Sequence, residues 1–176
     1  MIKLYARDDA GTLCYHEAWV DDDEIVEHWG RVGERGETKS HPMPRGGNPE
    51  ALLGTVLADA WRRGFAEIDE DELVSLEIEY ELDSWGTGAD LDVRNEIGDC
   101  LDEVLGWAGL GHWDGGSIGS GTMEIGCLVV DFEIAQRVIE AALAESAFPR
   151  FSRIYQLGAM SAGIGPDESS STRTGQ

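Results

Sequence analysis

The chain has 176 residues, 41% of them hydrophobic, with a formal net charge of −22 from 13 Lys and Arg against 35 Asp and Glu. That length holds one mid-sized domain or two small ones, and no apolar run reaches the ~18 to 20 residues that span a bilayer, so no membrane partner is expected. The charge opposes general phosphate binding, which depends on Lys and Arg displacing condensed counterions; residues 1–72 carry 8 basic against 17 acidic groups, −9, and residues 73–176 carry 5 against 18, −13.

Residues 1–9 lack the apolar core of a secretory signal, which implies a cytoplasmic location. Ile2, Leu4 and Ala6 alternate with Lys3, Tyr5 and Arg7, the period of a strand covered on one face. Residues 15–20 and 24–32 read as two further strands, joined through Asp21-Asp22-Asp23, whose short acidic side chains suit a solvated turn. Trp29-Gly30-Arg31-Val32-Gly33-Glu34-Arg35-Gly36-Glu37-Thr38-Lys39 follows, with glycines at 30, 33 and 36 that permit a tight reversal into a fourth strand. The prolines and glycines of residues 40–47 make a loop. Asn48-Pro49-Glu50 then starts a helix with a side-chain cap, proline at the first helical position and an acidic first turn. Leu53, Leu57 and Trp61 fall on one stripe beside Leu52, Val56 and Ala60, and Gly64 closes the helix.

The segment Trp29-Gly30-Arg31-Val32-Gly33 with Gly36, Thr38 and Lys39 resembles the signature of the WGR domain, a DNA-sensing module of poly(ADP-ribose) polymerases that also occurs in bacterial proteins. The similarity covers residues 1–70, strands followed by one helix. It implies a nucleic-acid contact through Trp29 and Arg31, with Lys39 on the returning strand as a phosphate contact. The physical chemistry is sound: an indole stacks on a base for ~1 to 3 kcal/mol and Arg grips phosphate with a planar fork. The bland alternative buries Trp29 under the helix and pairs Arg31 with a neighbouring carboxylate.

Residues 71–73 form an acidic hinge, after which Val74, Leu76, Ile78, Tyr80 and Leu82 alternate with Ser75, Glu77, Glu79 and Glu81. One face of that strand is core and the other is a carboxylate row. Val93, Ile97, Leu101, Val104 and Leu105 mark an amphipathic helix over residues 90–107. The glycine-rich residues 114–121 lack the Gly-Lys-Ser/Thr ending of a phosphate loop and precede a strand, so a flexible hairpin or bulged strand entry is the better reading. Met123, Ile125, Cys127 and Val129 alternate as a central strand, Asp131 caps a helix carrying Ala135, Ile139 and Leu143, and residues 153–157 supply a last strand.

Strand, helix, strand pair, helix, strand is the ferredoxin-like order, read for residues 74–160. The fold class is therefore α+β: a WGR-type antiparallel sheet with one packed helix, then a ferredoxin-like βαββαβ module. Residues 161–176 lack the apolar groups that offset ordering entropy and are expected to be disordered. The run Asp114-Gly115 with Ile118-Gly119-Ser120-Gly121 loosely resembles immunity-like ferredoxin-fold bacterial domains.

Cys14, Cys100 and Cys127 are scattered, as are His16, His28, His41 and His112, and no pair has metal-ligand or nucleophile-motif spacing. His28 is expected to be structural, and the thiols reduced. No catalytic residue, metal or cofactor is expected, and the chain reads as a non-enzyme. The 11 Arg against 2 Lys suit a GC-rich bacterial genome. Two binding functions remain: recognition of DNA or RNA ends or damaged duplex through Trp29, Arg31, Arg35 and Lys39, or an acidic immunity or adaptor protein covering a basic protein through Glu77, Glu79 and Glu81.

Overall fold

The computed structural model describes residues 1–158, so the expectation for residues 161–176 lies outside the described residues. Four strands, β1 (Ile2–Arg7), β2 (Leu13–Asp21), β3 (Glu24–Arg31) and β4 (Glu37–Pro42), form an antiparallel meander in that order. Short-range chemistry makes the turns: Asp8 Oδ1 accepts from the amides of Ala10 and Thr12 to close β1 onto β2, and Asp22 takes a φ of 47° between β2 and β3.

Helix α1 (Pro49–Arg62) follows, capped by Asn48, whose side chain accepts from the Glu50 amide. Its Leu53, Leu57 and Ala60 bury against Leu4, Ala18 and Ile25 on one face of the meander. Trp61 does not join them and stays 40% exposed. The expected stripe needs this correction because seven residues return a helix almost to its starting azimuth, placing Ala60 under Leu53, whereas the eighth lies about 80° further round.

A short 3-10 turn (Glu70–Glu72) occupies the acidic connection. Beyond it lie β5 (Val74–Glu81), α2 (Gly88–Trp107), β6 (Gly111–Gly119), β7 (Thr122–Val129), α3 (Phe132–Glu145) and β8 (Arg153–Gln156). The second sheet is antiparallel with strand order β6-β7-β5-β8. The alternating residues Leu76, Ile78 and Tyr80 of β5 and Met123, Ile125, Cys127 and Val129 of β7 share one buried face. Ile97, Leu101 and Leu105 of α2 and Ala135, Ile139 and Leu143 of α3 cover it. The glycine-rich segment is strand β6, whose register shifts between Trp113 and Gly116, the bulged form anticipated from sequence.

The two sheets touch. Tyr5, Tyr15 and Val32 of the first belong to the same apolar cluster as the core of the second. The Gly33 amide donates to the Ala108 carbonyl at 2.8 Å, and the Tyr15 hydroxyl donates to the Trp107 carbonyl at 3.4 Å. One face of the meander therefore meets α1, while the other meets the C-terminal end of α2. The described part is a mixed α and β structure with two antiparallel sheets and three helices, none long and apolar enough to cross a membrane.

Candidate functional site

The segment between β3 and β4 owes its glycines to packing as well as to turning. A Cβ on Gly36, which has a φ of 69°, would drive into the Tyr15 hydroxyl and the Trp29 carbonyl; one on Gly30 would meet Gly36 Cα at 2.8 Å. Two of the three glycines thus let the ribbon close around Tyr15.

Strand parity and register place Trp29, Arg31 and Lys39 on the α1 face of the meander, since Lys39 pairs with Glu27 and Glu27 shares the parity of Trp29. Arg31 and Lys39 are exposed and Trp29 is half-buried, its ring 5.8 Å from that of His16. Arg35 is separated from them: its guanidinium lies over the Trp107 ring, 4.7 Å from the centroid, where the ribbon meets α2. Three of the four proposed nucleic-acid residues share a face and the fourth is held by the chain's own indole.

Beside Trp29, the sequence did not reveal a carboxylate clamped by two imidazoles. His16 Nε2 donates to Glu27 Oε1 and His41 Nε2 to Glu27 Oε2, both at 2.7 Å, while Arg63 Nη2 donates to His16 Nδ1 at 3.2 Å. An Arg can only donate, so Nδ1 of His16 is the acceptor and Nε2 carries the hydrogen. Burial pushes the Glu27 carboxyl up, but the bonds from His16 and His41 outweigh it and leave it below the ordinary glutamate value. Arg63 enters this face from the end of α1, a position that strand periodicity could not supply.

The opposite face of the meander opens into a cleft of about 840 Å³ against α2 and the start of β6. Tyr5, Trp19 and Trp107 line it, and Asp102 and Glu103 bring carboxylates from α2. Deeper in, Glu17 is 3% exposed and accepts from two sides, from Lys3 Nζ at 3.1 Å and His28 Nδ1 at 2.7 Å. A carboxylate accepts only, so His28 carries a hydrogen on Nδ1, while its Nε2 meets the Tyr15 hydroxyl at 2.8 Å and the Arg35 carbonyl at 2.6 Å. His28 is fully buried, with both ring nitrogens in contact with groups of the chain itself. Tyr5 is 9% exposed, and among the described residues its hydroxyl has no hydrogen-bond partner. Burial, reinforced by Glu17, holds that phenol well above its ordinary value.

The carboxylate row of β5 is largely spoken for. Glu79 takes a two-pronged contact from Arg153, Nε to Oε1 at 3.1 Å and Nη2 to Oε2 at 2.6 Å, and the Tyr155 hydroxyl donates to Glu77. Glu81 alone of the three is exposed. Burial pushes the Cys127 thiol up to about 12, with Asp102 and Asp114 adding to the effect, and burial also raises Cys14. Both are poor sources of thiolate at neutral pH. Among the described residues no three His, Cys, Asp or Glu side chains are placed to hold a metal ion. Compared with family models, curated proteins and solved structures, the chain finds no match.

Proposed function

We propose that this chain is a non-catalytic cytoplasmic binding protein, an acidic adaptor or immunity-type protein whose partner is a basic protein. The observation that carries the reading is the excess of carboxylates, 35 Asp and Glu against 13 Lys and Arg. Lys3 is paired with Glu17, Arg62 and Arg63 with Asp59, Arg153 with Glu79, and Arg35 lies on Trp107, within a chain of net charge −22. Seven further cations of the described residues, Arg31 and Lys39 among them, have no carboxylate partner, but they are far outnumbered by Asp and Glu, so a phosphate backbone meets net repulsion whereas a basic surface meets complementary potential. We read residues 1–70 as a WGR-type module and residues 74–160 as a ferredoxin-like one; the order β6-β7-β5-β8 with two helices on one face supports the latter.

A second reading, recognition of a nucleic-acid end, is favoured by the shared face of Trp29, Arg31 and Lys39, with Arg63 joining it through His16. Affinity capture on the immobilised protein from nuclease-treated extract of its source cell separates the two. The captured protein, identified by mass spectrometry, is expected to have an isoelectric point above ~9. Direct binding of a labelled blunt duplex at about 50 mM salt, lost with Trp29→Ala and Arg31→Ala, would instead establish the second reading.

A further inference from the structure

We infer that the cleft between the first sheet and α2 receives an arginine or lysine side chain carried on a basic segment of a partner protein. This rests on the basic-partner reading and assigns that partner a place to dock. Three observations converge on it. Its lining is partly aromatic, with Tyr5 and the mutually packed Trp19 and Trp107, and aromatic faces attract desolvated cations. The chain itself illustrates the preference, since Arg35 already sets its guanidinium over Trp107.

Charge points the same way. Lys3 is committed to Glu17, whereas Asp102 and Glu103 at the α2 side have no cationic partner among the described residues. Asp102 Oδ1 accepts from the Trp113 amide and leaves its second oxygen free. An incoming cation would be compensated; an incoming anion would meet two uncompensated carboxylates.

The third observation is Tyr5. The residue is 9% exposed and lines the cleft, and its hydroxyl, which has no hydrogen-bond partner among the described residues, is not sealed from solvent and is open to an incoming donor. A guanidinium or ammonium N–H supplies what the hydroxyl oxygen lacks. The volume of about 840 Å³ falls within the range that encloses a drug-sized ligand, enough for one long side chain with its flanking backbone.

The probe is octa-arginine peptide titrated into the ¹⁵N-labelled full chain at about 50 mM salt, where the indole N–H signals of its six tryptophans report separately. The signals of Trp19 and Trp107 are expected to shift saturably while that of Trp85, 80% exposed and remote in sequence from the cleft, stays in place. By calorimetry, Tyr5→Phe keeps the cleft's shape and is expected to weaken binding roughly tenfold, the loss of one hydrogen bond to a charged group. Glu103→Lys is expected to weaken it further than Glu50→Lys, which makes the same change in net charge on α1 across the sheet. Binding that leaves Trp19 and Trp107 unmoved, or that is equally sensitive to Glu50→Lys and Glu103→Lys, overturns the cleft assignment and leaves the basic-partner reading standing. Absence of any binding overturns the assignment as well, and the affinity capture then decides the wider reading by itself.

Discussion

Tyr15 shows how much one side chain can tie together. Its hydroxyl meets His28 Nε2 at 2.8 Å and reaches the carbonyls of Arg35 at 3.0 Å and Glu34 at 3.2 Å, and its ring packs where Gly36 and Gly109 leave room. Tyr15→Phe keeps the ring but removes the hydroxyl that meets His28 Nε2 and the neighbouring carbonyls, and is expected to cost about 1 to 3 kcal/mol in a urea denaturation series. Gly109→Ala inserts a methyl against that ring at a φ of 62° and should be at least as damaging. Gly30, Gly33 and Gly36 could be read from the sequence as places where the chain turns. The reason for Gly30 and Gly36 could not, because the side chain that excludes a Cβ there stands on another strand, and local spacing carries no information about what crosses a sheet.

At the scale of elements, each α-helix begins on a side-chain cap. Asn48 and Asp131 were legible because each directly precedes an apolar periodic run. Thr87 was not, since it lies between two glycines that read as loop, and α2 accordingly starts at Gly88, two residues earlier than its hydrophobic pattern suggests. Thr87 and Asp90 cap each other reciprocally: the Thr87 hydroxyl accepts from the Asp90 amide, and the Asp90 carboxylate accepts from the Thr87 amide at 2.7 Å. Thr87→Ala is expected to lower stability by about 1 kcal/mol, read as a fall in thermal midpoint without change in the folded circular-dichroism spectrum. The alternation along β5 gave the correct inner face. It also gave an outer row of carboxylates, and what strand period could not show is that β8 returns beside them with Arg153 and Tyr155.

For the whole molecule, the four tyrosines provide a global readout. Burial raises Tyr5 and Tyr15, with Glu17 adding to both; burial brings Tyr80 up to about 12; and Tyr155 reaches about 12 chiefly through its bond to Glu77. In each case the fold favours the neutral phenol. The stability these groups contribute is therefore complete below the ordinary value of about 10 and is lost as pH rises from there through 12. Spectrophotometric titration is expected to show almost no phenolate near pH 10 while the protein is folded, then a steep rise coinciding with loss of structure. Phenols ionising one after another from pH 9.5 with native structure intact would contradict this arrangement. The cleft belongs to this scale too. It arises where two sheets distant in sequence meet, so Tyr5, Glu17 and Trp19 look like the solvent side of ordinary strands until α2 is set against them.

The last turn of α2 finds donors in the meander: the Ala108 carbonyl takes the Gly33 amide and the Trp107 carbonyl takes the Tyr15 hydroxyl. A helix normally finishes its own terminus with nearby backbone or water, but here that task falls partly to residues 75 and 92 positions upstream. Severing the polypeptide within its acidic connector would consequently give neither fragment a finished surface, the downstream piece losing donors for its helix end and the upstream piece baring Tyr15 and Val32. The connector resembles a hinge in composition, yet what it joins behaves as lock and bolt.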